Sequence, residues 1–288
     1  MHHKIVVLYS NHSDPIAEML SDRSKVKTYH IDDLNDFIHF DAWPNVVTTR
    51  FDEKIKSEFR DAQVVNRLFT LHDTVISKRL IELVYREEWA HVALSPLLSN
   101  ASSLMHDIGV KGISRCLLPL NSQWLFIGAQ GIDVPTYVYS FGGSTPDLSN
   151  IKDPMQKSIW SLHDWREETN FGPDNVNWHP FYVERPTGVP VLCNFIRGDV
   201  NIVVLRGTTE RVVDDFRPMA KIVSQVFRSQ MGEFLTYVES DGTIRFYAFT
   251  PTLHASVQQD STLAARLSSF VNLEFDAGTE AAELVSAA

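Results

Sequence analysis

Phe181–Leu205, FYVERPTGVPVLCNFIRGDVNIVVL, and its echo Leu235–Pro251, LTYVESDGTIRFYAFTP, decide how the chain is read. In both, apolar and polar residues alternate, the period of a strand with one face buried. The alternation breaks at Thr187-Gly188, Gly198-Asp199 and Asp241-Gly242, pairs suited to tight hairpin turns. Two β-hairpins are expected, with a helix over Arg217–Met231 (RPMAKIVSQVFRSQM) laying its apolar stripe on them.

Upstream, Lys4–Ser10 (KIVVLYS) reads as a buried strand, followed by Asp14-Pro15 and a helix through IAEMLSDR. Lys27–Ile31 and Ala62–Val65 are further strands, the latter ending in Asn66-Arg67, and the stretch through Trp43-Pro44 is a loop or short strands. Thr74–Ala90 spaces its apolar residues as an amphipathic helix does. Arg67 stands where an open α/β sheet normally has its functional crevice; the plainer reading is that Asn66 and Arg67 only end the strand. Asn121–Gly131 is a helix closed by glycine and Ile132–Ser140 a strand. Ser144–Pro180 is polar and turn-rich, with Lys152 and Lys157 on a short helix and Trp160, Trp165 and Trp178 as core packing or as an aromatic platform for a peptide. A last helix over Ser261–Phe270 precedes an alanine-rich acidic tail.

The 288 residues, 44% hydrophobic and 22% charged, describe an ordinary globular protein. A net charge of −10 repels phosphate backbones and argues against nucleic acid. Cys116 and Cys193 sit among apolar neighbours without disulfide spacing, as thiols in a reducing cytosol do. With no signal-peptide pattern and no apolar run long enough for a bilayer, a cytoplasmic protein without a membrane partner is expected. His2, His3, His12, His30 and His39 lack metal-ligand spacing, so no metal is expected. Hydrolase elbows, zinc-protease helices, CxxC pairs and a dinucleotide glycine motif are all absent.

The hairpin layout, with Glu184 closing a strand ahead of Gly188-Val189-Pro190-Val191, resembles the C-terminal half of an ATP-grasp ligase. Ala129, Gly131-Ile132, Val134-Pro135-Thr136 are similar to that family's hinge between its lobes. Asn66-Arg67 with the following helix resembles the N-terminal lobe of ligases related to ribosomal-peptide cyclases and the RimK type. The resemblance implies an α/β chain, an open α/β pre-ATP-grasp lobe over residues 1–120 followed by an α+β ATP-grasp-like lobe over 121–288 with a shortened central region. It also implies a homodimer.

Active members need lysine-bearing strands, a glycine-rich phosphate loop, and acids that hold magnesium: an aspartate before the last turn, then Glu-x-Asn-Pro. Here the first position falls near Thr236, and Ala248 and Thr250 stand for the glutamate and asparagine. Methyl and hydroxyl groups do not replace anionic oxygens around a hard cation. The expectation is a pseudoenzyme with no catalytic residue and no cofactor, similar to the peptide-binding proteins of crocagin biosynthesis. It would bind a ribosomally made precursor peptide and present it to a separate modifying enzyme. Edge strands would accept the peptide by β-augmentation, Trp160 and Trp165 would anchor it, and Arg185, Arg197 and Arg206 would pair with acidic leader residues; alternatively these arginines form surface ion pairs. The rival reading is a divergent ATP-dependent carboxylate-amine or peptide ligase drawing acids from Glu239, Asp241 or Asp260. An α/β protein of another lineage is the third.

Overall fold

The structure, a computed structural model, describes residues 5–43, 46–68, 94–105, 118–140, 146–158 and 181–271. The expected helix over Thr74–Ala90, Cys116, and Trp160, Trp165 and Trp178 therefore lie outside the described residues. The chain forms two compact units, residues 1–116 with 257–288, and residues 117–256.

In the first unit, β1 (Ile5–Tyr9) runs parallel between β2 (Val26–His30) and β5 (Gln63–Arg67). β6 (Ser103–Leu104) extends the sheet in the order β2-β1-β5-β6. The near-continuous apolar run of β1 fits a strand covered on both faces, and Ile5 through Leu8 are fully buried. Helix α1 (Pro15–Ser21) starts where Asp14 Oδ1 accepts from the backbone N–H groups of Ile16 and Ala17, each at 3.0 Å, with Pro15 at the first helical position. A 3₁₀ turn (Ile31–Phe37) follows β2. The segment through Trp43-Pro44 proves to be an antiparallel pair, β3 (Ile38–Trp43) with β4 (Val46–Phe51), ahead of α2 (Glu53–Phe59). The core joins Val6, Leu8, Leu34, Phe59, Val64 and Leu97.

The second unit opens with α3 (Leu120–Gly128). The expected strand over Ile132–Ser140 contracts to β7 (Tyr137–Tyr139). Pro135 lacks an N–H for a ladder, and the residues before it cover another strand instead. Lys152 and Lys157 are not on a helix: β8 (Pro154–Gln156) is a strand, and Lys157 follows it with its N–H bonded to Phe181 O at 3.0 Å. β9 (Phe181–Glu184) lies between β7 and β8.

The organising stretch is not one continuous hairpin run. After β9 the chain crosses at residues 185–188 into a second antiparallel sheet, ordered β11-β10-β12-β13: β10 (Val189–Ile196), β11 (Asp199–Val204), β12 (Met231–Val238) and β13 (Ile244–Thr250). Gly188 sits at the crossing because a Cβ there would collide with the Val238 carbonyl. The turn between β10 and β11 is Arg197-Gly198, both at positive φ (48° and 85°), so Asp199 already belongs to the strand.

Helix α4 (Val213–Phe227) begins and ends four residues earlier than expected, with Pro218 inside it. Asp215 Oδ2 accepts from Val212 N–H at 2.9 Å and closes its first turn. Phe216, Ala220, Val223 and Phe227 form its buried stripe, and Phe227 stacks on Phe249 at 4.6 Å. A short helix, α5 (His254–Gln259), follows β13, and a last helix spans residues 263–271.

Candidate functional site

β12 and β13 set two rows of side chains across one face of the second sheet. Asn201, Asn194, Glu233 and Thr250 stand directly opposite one another across all the strands, and residues so paired share a face. Glu233 is fully buried and accepts from the N–H groups of Ala255 and Ser256 at 2.9 and 2.7 Å, tying the start of α5 to the sheet. The neighbouring row is hydrocarbon: Leu192 opposes Leu235, which opposes Ala248. A register shift between Leu235 and Thr236 places Leu235, not Thr236, against Ala248. Thr236 instead donates its hydroxyl to Val191 O at 3.0 Å.

Over this face lie Tyr247, Tyr237 and Lys157. The two tyrosine rings meet edge to face at 5.3 Å, and the Lys157 ammonium lies 5.1 Å from the Tyr247 ring centre. All are at least 98% buried by exposures of 0, 2 and 0%. Burial pushes the Tyr237 phenol up to about 12, the Arg206 charge pulling the other way.

Arg245, on β13, gathers three carboxylates. Its Nε donates to Asp133 at 3.0 Å, and Nη1 lies 3.4 Å from Glu184 and 3.6 Å from Glu239. Partial burial opposes the charge, but the bond to Asp133 and the fields of Asp133, Glu184 and Glu239 outweigh it and hold Arg245 above its ordinary value. Glu239 also accepts from the Thr187 hydroxyl at 2.7 Å. Beside it opens a cleft of about 740 Å³ lined by Thr187, Thr208, Arg211, Glu239, Ser240 and Asp241, among others. Sequence reading missed Arg245, whose only trace was an arginine at a polar step of the last strand.

The expected peptide-contacting arginines are set apart. Arg185 pairs with Asp153 at 2.9 Å just after β9. Arg197 occupies the β10–β11 turn and donates from Nε to Gln230 at 2.8 Å. Arg206 is exposed beyond the far end of β11, and roughly 20 Å of strand separates it from Arg197. Arg67, in the first unit, is buried against Asp14, with Nε 3.0 and 2.9 Å from its two oxygens and Nη2 2.9 Å from Oδ2. It locks the start of α1 to the carboxyl end of β5.

The two margins of the second sheet differ. Along β13, Gln123 donates to Phe249 O at 3.1 Å and accepts from Phe249 N–H at 2.7 Å, Trp124 donates to Tyr247 O at 2.6 Å, and Phe246 N–H reaches Asp133 O at 2.9 Å. This margin is covered, a standard protection for an edge strand. β11 ends the other margin, with Val204 37% and Leu205 42% exposed.

Solved structures of very different sequence share this architecture along nearly the whole chain. The ATP-grasp ligase PsnB, complexed with minimal precursor, Mg and ADP, matches at a TM-score of 0.60 and 12% identity over 92% of this chain and 97% of its own. The fold is the ATP-grasp fold. A RiPP-associated ATP-grasp ligase of Chryseobacterium gregarium, in complex with ADP and a leader and core peptide, matches at 0.57 and 12% over 92% and 94%. D-alanine–D-alanine ligase from Bacillus anthracis matches at 0.54 and 12% over 98% and 99%. No protein-family model matches the chain, nor does any curated protein. No helix among the described residues is long and apolar enough to cross a membrane.

β8 and the buried Lys157 that follows it lie in the stretch where sequence reading found no lysine-bearing strand. The positions that the resemblance assigns to the magnesium acids, near Thr236 and at Ala248 and Thr250, carry no carboxylate, and Leu235 stands opposite Ala248. Of the alternative acids, Asp241 accepts from Thr243 N–H at 2.8 Å in an exposed turn, and Asp260, in the first unit, pairs with Arg266 at 3.0 Å.

Proposed function

We propose that the chain is a non-catalytic peptide-binding protein that takes a ribosomally synthesised precursor peptide and presents it to a separate modifying enzyme, working as a cytoplasmic homodimer. The observation that carries this reading is the row Leu235–Ala248 with Thr250 beside it. Hydrocarbon supplies no lone pair, and a single hydroxyl does not satisfy a divalent cation that takes carboxylate oxygens. The Tyr237, Tyr247 and Lys157 cluster packs over that same face. PsnB and the Chryseobacterium ligase were both crystallised with peptides, which supports a peptide as the guest of this fold.

β11 is the margin for strand addition, with Arg197 before it and Arg206 after it to meet acidic residues of the guest. Trp160 and Trp165 remain proposed anchors. Calorimetric titration with the precursor peptide encoded beside the gene tests the reading: saturable binding is expected, and an absence of heat with every such peptide removes it.

Lys157 favours the second reading, a divergent ATP-dependent ligase, because it is a buried lysine directly after a strand and such enzymes use strand lysines. Titration with ATP and magnesium separates the two. Saturable, magnesium-dependent nucleotide binding supports the ligase, and none supports the binding protein.

A further inference from the structure

The cleft beside Glu239 lies at the end of the second sheet where β11 finishes. Leu205 N–H still reaches Pro190 O at 3.0 Å, and the chain then turns at Gly207, φ 81°, and supplies Thr208, Glu210 and Arg211 to the cleft wall. The β12–β13 turn supplies another part of the wall, and Val189 and Val238 belong to the lining too. A volume of about 740 Å³ is that of a site for a small ligand or a long side chain.

Charge and burial narrow the occupant. Four carboxylates line the cleft, on Glu210, Asp215, Glu239 and Asp241, against one arginine. Arg211 is already engaged: its Nε donates to Gly242 O at 3.1 Å, and its Nη1 lies 3.7 Å from Asp215. It braces the wall rather than recruiting an anion. Glu239 Oε2 accepts from the Thr187 hydroxyl, but Oε1 is buried with no hydrogen-bond partner among the described residues. Arg245 Nη1, 3.6 Å away, is beyond hydrogen-bond distance and is shared with Glu184. The cleft thus holds a buried acceptor that lacks a donor, a state that costs free energy until one arrives.

A metal ion is a poor candidate for that donor's place, because among the described residues no three of these carboxylates converge closely enough to cage one. A basic side chain fits both parts of the lining. Its methylene stem packs on Val189 and Val238 while its charged head meets the carboxylates. We propose that this cleft binds the guanidinium or ammonium of an arginine or lysine side chain, carried by the peptide that β11 receives. The carrier rests on the reading of β11 as the guest's margin; the preference of the cleft for a cationic side chain does not.

Amide NMR of the full chain, titrated with N-acetyl-arginine amide and N-acetyl-lysine amide, tests the cleft without any precursor peptide. Saturable shifts at Thr208–Arg211 and Glu239–Gly242 are expected with at least one of them, weakening as salt is raised. N-acetyl-citrulline amide, the uncharged isostere of the arginine probe, is expected to leave these signals in place. Glu239→Gln keeps an acceptor for Thr187 and is expected to weaken binding about tenfold. Glu210→Gln, at an exposed lining position, is expected to weaken it in the same direction with the fold undisturbed. No shift with either cationic probe, equal shifts with the citrulline probe, or unchanged binding in both variants would overturn the proposal. Cationic probes that bind while no precursor peptide does would keep the cleft and remove the peptide as carrier. A precursor that binds wild type and Glu239→Gln equally, with no probe shifts, would remove the cleft and keep the peptide.

Discussion

The ammonium of Lys157 lies 5.1 Å from the centre of the Tyr247 ring, and both side chains are fully buried. A lysine charge withdrawn from water needs compensation, and an aromatic face supplies part of it. Tyr247→Leu keeps most of the apolar volume and removes that face. The expected result is a loss of about 2 kcal/mol in urea denaturation, with little or no loss for Tyr247→Phe, which keeps the ring.

Gln123 occupies the edge of β13 as a surrogate strand, meeting both the N–H and the C=O of Phe249. Gln123→Leu fills the space yet abandons two buried backbone groups. Destabilisation of about 2–4 kcal/mol is expected, with faster amide exchange at Phe249.

Tyr237 makes stability depend on alkaline pH. Its phenol keeps its proton in the folded protein up to about 12, against an ordinary value of 10.0. The unfolded chain therefore ionises first. Stability from this group is complete below pH 10 and falls away as pH rises through the folded value, by roughly 2–3 kcal/mol. Tyr237→Phe is expected to flatten that decline. At neutral pH it costs nothing or stabilises, because the hydroxyl has no hydrogen-bond partner among the described residues. Paired denaturation curves at pH 7 and above pH 10 check both statements.

Asp14 does two jobs that substitution can separate. Asp14→Asn still accepts from the Ile16 and Ala17 amides but removes the charge facing buried Arg67. A loss of about 3–5 kcal/mol is expected from the broken buried pair. Asp14→Ala also removes the cap and should cost about 1 kcal/mol more.

The strands were legible in the sequence as apolar-rich runs bounded by turn pairs, although β10 and β12 prove to be buried on both faces rather than one. β10, β11 and β13 fall within Val189–Leu205 and Leu235–Pro251, whereas β12 starts four residues before the expected run, at Met231. Alternation does not say which strand a partner will be, so the change of sheet between Glu184 and Val189 was hidden. β8 was missed because Pro154–Gln156 is too short to show a period. The helix was expected from Arg217, whereas α4 begins at Val213 with Pro218 inside it, its first turn closed by Asp215. The polar groupings were least legible. Arg245 meets Asp133 from 112 positions away. His12 meets His30 only because β1 and β2 are parallel, with Tyr9 beside His30 in their register.

The contrast between a sealed β13 and a β11 with no strand beyond it among the described residues has a bearing on stoichiometry. A sheet that can grow along a single margin admits one guest strand per chain, and a second molecule must compete for the same berth rather than add to it.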